Sequence, residues 1–273
     1  MSPRAKEKLR SLDVRPSKER GQNFLIDDSV IQSIVGFGAP KAEENLVEIG
    51  PGLGALTREL AKFPKLSLIE IEEKFCAELA AEFPKVKIVN RDVREVPFSD
   101  IGSDLVVFGN LPYVFSTEIV MHLVANAQVI TRAVLLLQRE FAERLASPPG
   151  GREYGRLSIA TQLWADLELG PIIPGTSFHP PTSVQSRLVS LKFLKKPRVE
   201  IRDQVWFEKV VKAAFSKRRK KLSNSLFASG YLAKERIDAA LTQAGIDPGR
   251  RAETLSISEF VALAEALYLP PVK

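Results

Sequence analysis

Five short apolar runs alternate with stretches of helical composition, and no other feature limits the fold as strongly. The runs are Leu46-Val47-Glu48-Ile49, Leu66-Ser67-Leu68-Ile69-Glu70-Ile71, Val86-Lys87-Ile88-Val89, Leu105-Val106-Val107-Phe108 and Val134-Leu135-Leu136-Leu137. Helical stretches lie near 54–62, 74–82, 116–125 and 139–147. Strands this uniformly apolar are buried on both faces, as parallel strands are when crossover helices cover them. Consecutive βα units of this kind wind into an α/β class fold, a doubly wound sheet with helices on both sides. Two further strand candidates, near 167–173 and 188–193, follow a helix at about 155–164. Pro171, Pro174, Pro180 and Pro181 make the stretch between them a loop.

The pattern changes after Pro197. Phe207, Val210, Val211, Ala214 and Phe215 form one apolar helical face. Ile237, Ala240, Leu241 and Ala244 repeat the spacing ahead of Gly245, and Ser256 with Glu259 forms a capping box before Phe260, Leu263, Ala264 and Leu267. The expected organisation is a basic extension over 1–20, an α/β domain over 21–196 and a smaller all-α C-terminal domain over 197–273.

Charge marks out the ends of this scheme. Residues 1–21 hold seven Lys/Arg against three Asp/Glu, and residues 195–221 hold eleven against three, so the rest of the +6 chain is net acidic. The five adjacent cations Lys217, Arg218, Arg219, Lys220 and Lys221 repel one another unless a polyanion compensates them, which points to a nucleic-acid backbone. The first 17 residues read more simply as a solvated tail. The single cysteine, Cys76, excludes a disulfide framework, and the two histidines, His122 and His179, lack metal-ligand spacing, so chemistry without a metal is expected. No apolar run approaches the roughly 18 residues that span a bilayer, so no membrane partner and a cytoplasmic location are expected.

Three motifs end strands. Glu48-Ile49-Gly50-Pro51-Gly52-Leu53-Gly54 closes the first one, where glycines let a ligand approach the backbone. A carboxylate at Glu48 would repel a pyrophosphate but suits a cofactor carrying a sulfonium and an ammonium group, as S-adenosylmethionine does. Glu70, about 20 residues beyond the glycines, can accept bonds from both ribose hydroxyls. Asp92 could accept from an adenine amine or cap a helix, and spacing alone leaves both open.

The fourth strand leads into Asn110-Leu111-Pro112-Tyr113. The amine of adenine is a poor nucleophile because its lone pair is delocalised into the ring. Two acceptors, the Asn110 side-chain oxygen and the Leu111 carbonyl held by Pro112, can draw that lone pair out of conjugation. Tyr113 would stack on the flipped base.

With these motifs in this order the chain closely resembles the ribosomal RNA adenine dimethyltransferases, and among them the small-subunit branch linked with kasugamycin sensitivity. The likeness runs from about residue 18 to the C-terminus and rests on Gly21-Gln22-Asn23-Phe24-Leu25, Val47-Glu48-Ile49-Gly50-Pro51-Gly52, Val107-Phe108-Gly109-Asn110-Leu111-Pro112-Tyr113, Tyr154-Gly155-Arg156-Leu157-Ser158 and Phe215-Ser216-Lys217-Arg218-Arg219-Lys220. It implies a Rossmann-like S-adenosylmethionine-dependent methyltransferase sheet and S-adenosylhomocysteine as product. The implied substrate is two adjacent adenosines in the 3′-terminal hairpin loop of 16S rRNA, each dimethylated during small-subunit assembly by an enzyme expected to be monomeric. By the same likeness Asn23 and Leu25 lie against the methionine part of the cofactor, Gly50 underlies it, Glu70 holds the ribose and Asp92 the adenine. Gln22, Gly52, Ile71 and Val93 join this set, Asn110 bridges cofactor and target, and Phe178 forms a second aromatic face opposite Tyr113.

The chain departs from the family pattern at Val114-Phe115, where Asn-Ile is usual, at Thr182-Ser183, where Pro-Lys is usual, and at Arg20, where an aromatic is expected. Three other readings stand beside this one. The 23S-directed branch shares the fold but typically carries Ile at the position of Leu111. A DNA adenine methyltransferase needs a target-recognition insertion, for which there is little room. A non-catalytic RNA-binding assembly factor could keep the fold without needing Asn110, Tyr113, Glu70 and the glycine loop.

Overall fold

The computed structural model describes residues 23–217, 219–230 and 232–268. Gln22, Arg218 and the basic extension over 1–20 lie outside the described residues. By contacts the chain divides into two compact units, one running through Ala142 and resuming over Ala165–Lys195, the other taking Glu143–Trp164 and continuing from Lys196.

In the first unit the expected strands form as β2 (Asn45–Ile49), β3 (Leu66–Glu70), β4 (Lys87–Asn90), β5 (Leu105–Asn110) and β6 (Ile130–Gln138). They pair in parallel, and β9 (Ser186–Phe193) and β7 (Ala165–Ile173) extend the sheet to the order β4-β3-β2-β5-β6-β9-β7. β9 runs antiparallel to both β6 and β7. The reason is the connection: residues 174–185 contain only the three-residue 3-10 turn Gly175–Ser177 and no α-helix to carry the chain back across a face, so β7 and β9 lie side by side in opposite directions. The proline-rich stretch is a loop as expected, with one addition. Phe178–His179 forms a two-residue strand, β8, which pairs antiparallel with β1 (Phe24–Leu25).

Helix α1 (Asp28–Gly38) has no counterpart in the sequence reading. Its cap is partly local and partly not: the Asp27 carboxylate accepts from the Ser29 backbone N–H at 3.0 Å and from the Ser177 hydroxyl at 2.9 Å. Val30, Ile31 and Ile34 then bury against a core that includes Leu46, Leu68, Val106, Phe108, Val134 and Leu136, one face of the sheet. The helix expected over 54–62 is a single turn, α2 (Thr57–Leu60), because the three glycines before it take left-handed backbone. Helices α3 (Glu73–Glu82), α4 (Ser116–Ala125) and α5 (Arg139–Leu145) follow their strands as expected.

The second unit gathers α6 (Arg156–Gln162), α7 (Gln204–Ala214), α8 (Leu222–Ala228), α9 (Lys234–Gln243) and α10 (Ile257–Leu267). Its core joins Phe207, Val211, Leu226, Leu241, Phe260 and Leu263 with Tyr154, Ile159 and Leu163. The segment 143–164 therefore packs with the C-terminal helices, and the boundary expected near 196 is joined by two more, after Ala142 and after Trp164. The capping box forms as read: Ser256 Oγ accepts from Glu259 N at 3.2 Å and Glu259 Oε2 from Ser256 N at 2.8 Å. Among the described residues no helix is long and apolar enough to cross a membrane.

Phe108, fully buried in β5 with its ring against the backbone of Gly38, anchors the sheet beneath α1. Phe108→Ala is expected to destabilise the first unit by about 3–5 kcal/mol. Urea denaturation measures this, and a loss below about 1 kcal/mol would show that the site collapses around the deletion.

Candidate active site

Residues two apart on a strand face the same side of a sheet. Leu46 and Glu48 in β2, Leu68 and Glu70 in β3, and Phe108 and Asn110 in β5 therefore share one face, with Glu48 in register with Leu68 and Phe108. The apolar member of each pair belongs to the core, and the polar member comes two residues later, toward the strand's C-terminal end. Strand order reverses between β2 and β5, so these ends flank the crevice in which α/β sheets bind ligands. A cavity of about 350 Å³ opens there. Asn23, Leu25, Glu48, Gly50, Gly52, Glu70, Ile71, Asp92, Val93 and Asn110 through Tyr113 all line it.

Backbone shape makes the glycine loop. Gly50, Gly52 and Gly54 have φ of +64°, +52° and +76°, and a Cβ at Gly50 would stand in open space. The Glu70 carboxylate ties this loop to its own strand: Oε2 accepts from Gly52 N at 3.1 Å and Oε1 from Glu72 N at 2.9 Å.

Glu48 is 2% exposed and its Oε2 has no hydrogen-bond partner. Burial pushes its carboxyl up to about 8, and the Glu70 charge adds to the rise; the Thr57 hydroxyl and the Arg58 guanidinium oppose it. Thr57 lies close enough to ease the carboxyl but makes no well-formed hydrogen bond to it. An orphaned carboxylate oxygen in a cavity wall fits a ligand that brings a cation or a donor.

Asp92 caps the turn Val93–Glu95 by accepting from Arg94 N at 2.9 Å, so the capping alternative is realised. It also pairs with the Arg94 guanidinium, Nε to Oδ1 at 3.0 Å and Nη2 to Oδ2 at 2.5 Å, which holds the carboxyl below its ordinary range. Arg94 in turn lies 4.3 Å over the Phe115 ring. Both residues line the cavity, and the sequence reading gave neither a role; Phe115 figured there only as a departure from a family pattern.

Asn110 is oriented by a residue far away in sequence. Its Nδ2 donates to the Asn23 carbonyl at 2.9 Å, which leaves Oδ1 as the acceptor end of the amide. The loop behind it is fixed. Leu111 N donates to Leu136 O at 3.2 Å, and the Pro112 carbonyl accepts from Phe115 N and the Ser116 hydroxyl. The Tyr113 phenol lies 2.7 Å from the Ser186 hydroxyl, a contact between residues 73 apart that no local pattern signals.

Phe178 is placed otherwise than expected. At 1% exposure it is buried in the core cluster that holds Phe24 and Leu25 and is not among the residues that line the cavity. The aromatic side chains that reach the cavity are Phe24, Phe75, Tyr113 and Phe115. In the helical unit Lys217, Arg219, Lys220 and Lys221 are exposed around the start of α8. The turn that carries them is held by Ser216 Oγ donating to Ser225 O at 2.9 Å and Ser225 Oγ to Lys217 O at 3.1 Å.

Glu48 has a measurable consequence in the ligand-free protein. Its folded pKa is raised, so the native state holds a proton that the unfolded chain releases above about 4.3, and stability falls as pH rises toward 8. Glu48→Gln is expected to match the wild type near pH 4 and to exceed it increasingly up to pH 8 in urea denaturation. Parallel pH profiles would refute the burial argument.

Comparison with known proteins agrees with this geometry. The ribosomal RNA adenine dimethylase family model matches residues 15–268. Proteins of Bacillus thuringiensis (strain Al Hakam) and Bacillus mycoides (strain KBAB4), each named ribosomal RNA small subunit methyltransferase A, are 40% identical over 266 residues, covering 92% of this chain and 91% of theirs. In fold the chain is similar to a dimethyladenosine transferase from Plasmodium falciparum, with TM-score 0.75, 21% identity and coverage of 88% and 95% of the two chains. It is also similar to the 23S rRNA methyltransferase ErmE, with TM-score 0.68, 24% identity and coverage of 90% and 99%. With a cavity whose polar groups sit where the strand order reverses, and with relatives matched along nearly their whole length, the chain belongs to the ribosomal RNA adenine dimethylase family.

Proposed function

We propose that the chain transfers methyl groups from S-adenosylmethionine to the N6 amines of two adjacent adenosines in the 3′-terminal hairpin loop of 16S rRNA, two to each, acting as a monomer on immature small subunits in the cytoplasm. The observation that carries this reading is the Asn110 amide. Pinned through Nδ2 to the Asn23 carbonyl, it offers Oδ1 to an amine hydrogen, and the Leu111 carbonyl is the second acceptor. Together they pull the amine lone pair out of the ring system and aim it along one direction. Tyr113 supplies the stacking face for the flipped base.

S-adenosylmethionine supplies an electrophilic methyl on a sulfonium, and the donor set fits it. Glu70 accepts from the ribose hydroxyls, Asp92 from the adenine amine, and Glu48 faces the positive end; Gly50 and Gly52 keep the floor open, with Ile71, Val93, Asn23 and Leu25 as walls. In each transfer the carbon–sulfur bond breaks, a carbon–nitrogen bond forms at N6, and the amine proton leaves to solvent, with S-adenosylhomocysteine as the other product. Lys217, Arg219, Lys220 and Lys221, with Arg218 between them in sequence, hold the RNA backbone. The name of the 40% identical relatives favours the small subunit over 23S rRNA, since the ErmE likeness is one of fold alone.

Incubation with labelled S-adenosylmethionine and unmethylated small subunits, followed by mass spectrometric mapping, tests the assignment directly. Asn110→Ala is expected to lower methyl transfer at least about 100-fold while cofactor and RNA still bind, in the range of a lost transition-state donor or acceptor. Turnover near the wild-type rate would sink the amine-acceptor role. Replacing Lys217, Arg219 and Lys220 together by alanine should weaken RNA binding and reduce the slope of log K against log salt by up to about 3. An unchanged slope would remove the cluster from the interface.

A further inference from the structure

We propose that Ser186 is a positioning residue that fixes the place and long axis of the Tyr113 ring, and that the second methyl transfer to each amine depends on it more than the first. The inference rests on the adenine dimethylation reading above. Its structural basis is the 2.7 Å contact between the Tyr113 phenol and the Ser186 hydroxyl.

Ser186 is fully buried, and its backbone is flanked by a strand on each side. As the first residue of β9 it lies in register between Gln138 of β6 and Ile173 of β7. Its neighbour Gln185 is tied twice to Arg139, by Arg139 N donating to Gln185 O at 2.9 Å and Arg139 Nη1 to Gln185 Oε1 at 3.0 Å. Tyr113, by contrast, is half-buried on a short turn after Pro112, with two side-chain torsions to turn about. Held at its Cα by the loop and at its hydroxyl by Ser186, the ring keeps its place and the direction of its long axis and cannot swing about χ1. Without the serine hydroxyl the phenol loses its partner in a largely desolvated place and the ring is free to seek another.

The number of hydrogens on the substrate amine makes the two transfers unequal. An unmodified adenine amine has two N–H groups, one for Asn110 Oδ1 and one for the Leu111 carbonyl. After the first transfer one N–H remains, so one of those two hydrogen bonds is lost. Stacking on Tyr113 then carries more of the orientation, and a loosened ring penalises the second transfer selectively.

The full-length chain, unmethylated small subunits and S-adenosylmethionine suffice for the test, with N6-methyladenosine and N6,N6-dimethyladenosine quantified over time and cofactor affinity measured by calorimetry. Ser186→Ala is expected to slow the second transfer on the order of tenfold, to change the first by less than about threefold and to leave the cofactor Kd within about twofold, so that monomethylated adenosine accumulates. Tyr113→Phe, which removes the hydroxyl and keeps the ring, should give the same product ratio, and the double variant should be no worse than either single one. A wild-type ratio in both single variants, equal slowing of both transfers, losses that multiply in the double variant, or weakened cofactor binding would each overturn the proposal. If the wild type makes no dimethyladenosine at all, the underlying reading fails with it.

Discussion

Everything at the site depends on one constraint of parallel sheets. A strand such as β2, hydrogen-bonded on both sides, leaves its crossover connections no room except over the two faces, so the C-terminal edge between β2 and β5 stays uncovered. Polar groups at strand ends can be presented there without breaking the core. The same period-two geometry that buries Leu46, Leu68 and Phe108 delivers Glu48, Glu70 and Asn110 to one face of one crevice. Core and site are thus two readings of the same strands, and a register slip of one residue would destroy both together.

Electrostatics in this crevice are arranged by partners rather than by exposure. Glu70 and Asp92 each have their carboxylates occupied, one by backbone amides and the other by Arg94. Glu48 alone is buried with an oxygen unsatisfied, and its elevated carboxyl is the energetic record of that. Three acidic residues within one cavity therefore differ in protonation behaviour because their surroundings differ.

The parallel strands, the glycine loop and the acidic residues were legible in the sequence, since each announces itself over a few adjacent residues. What escaped was non-local or of marginal length. Helix α1 has an apolar face of only a few residues and a cap completed by Ser177, 150 positions away. The one-turn α2 was read too long because composition cannot show that three glycines before it adopt left-handed backbone. The segment 143–164 was assigned to the sheet domain by continuity, whereas Tyr154, Ile159 and Leu163 are buried with the C-terminal helices. At the site, Arg94, Phe115 and Ser186 escaped notice because their roles come from contacts across the fold, and Phe178 was expected at the cavity wall because a resemblance conveys residue identity but not the pairing of β1 with β8.

That pairing has a consequence for when the molecule becomes complete. Asn23, whose carbonyl orients Asn110, is followed at once by β1, and β1 finds its partner only at Phe178–His179. A chain leaving the ribosome could form β2 through β5 and still lack the wall that aligns the amide, until more than 150 further residues beyond β1 had been made. Closing so long a loop comes late and adds little local reward. The earliest-synthesised part of the pocket is thus completed only by residues made far later in the chain.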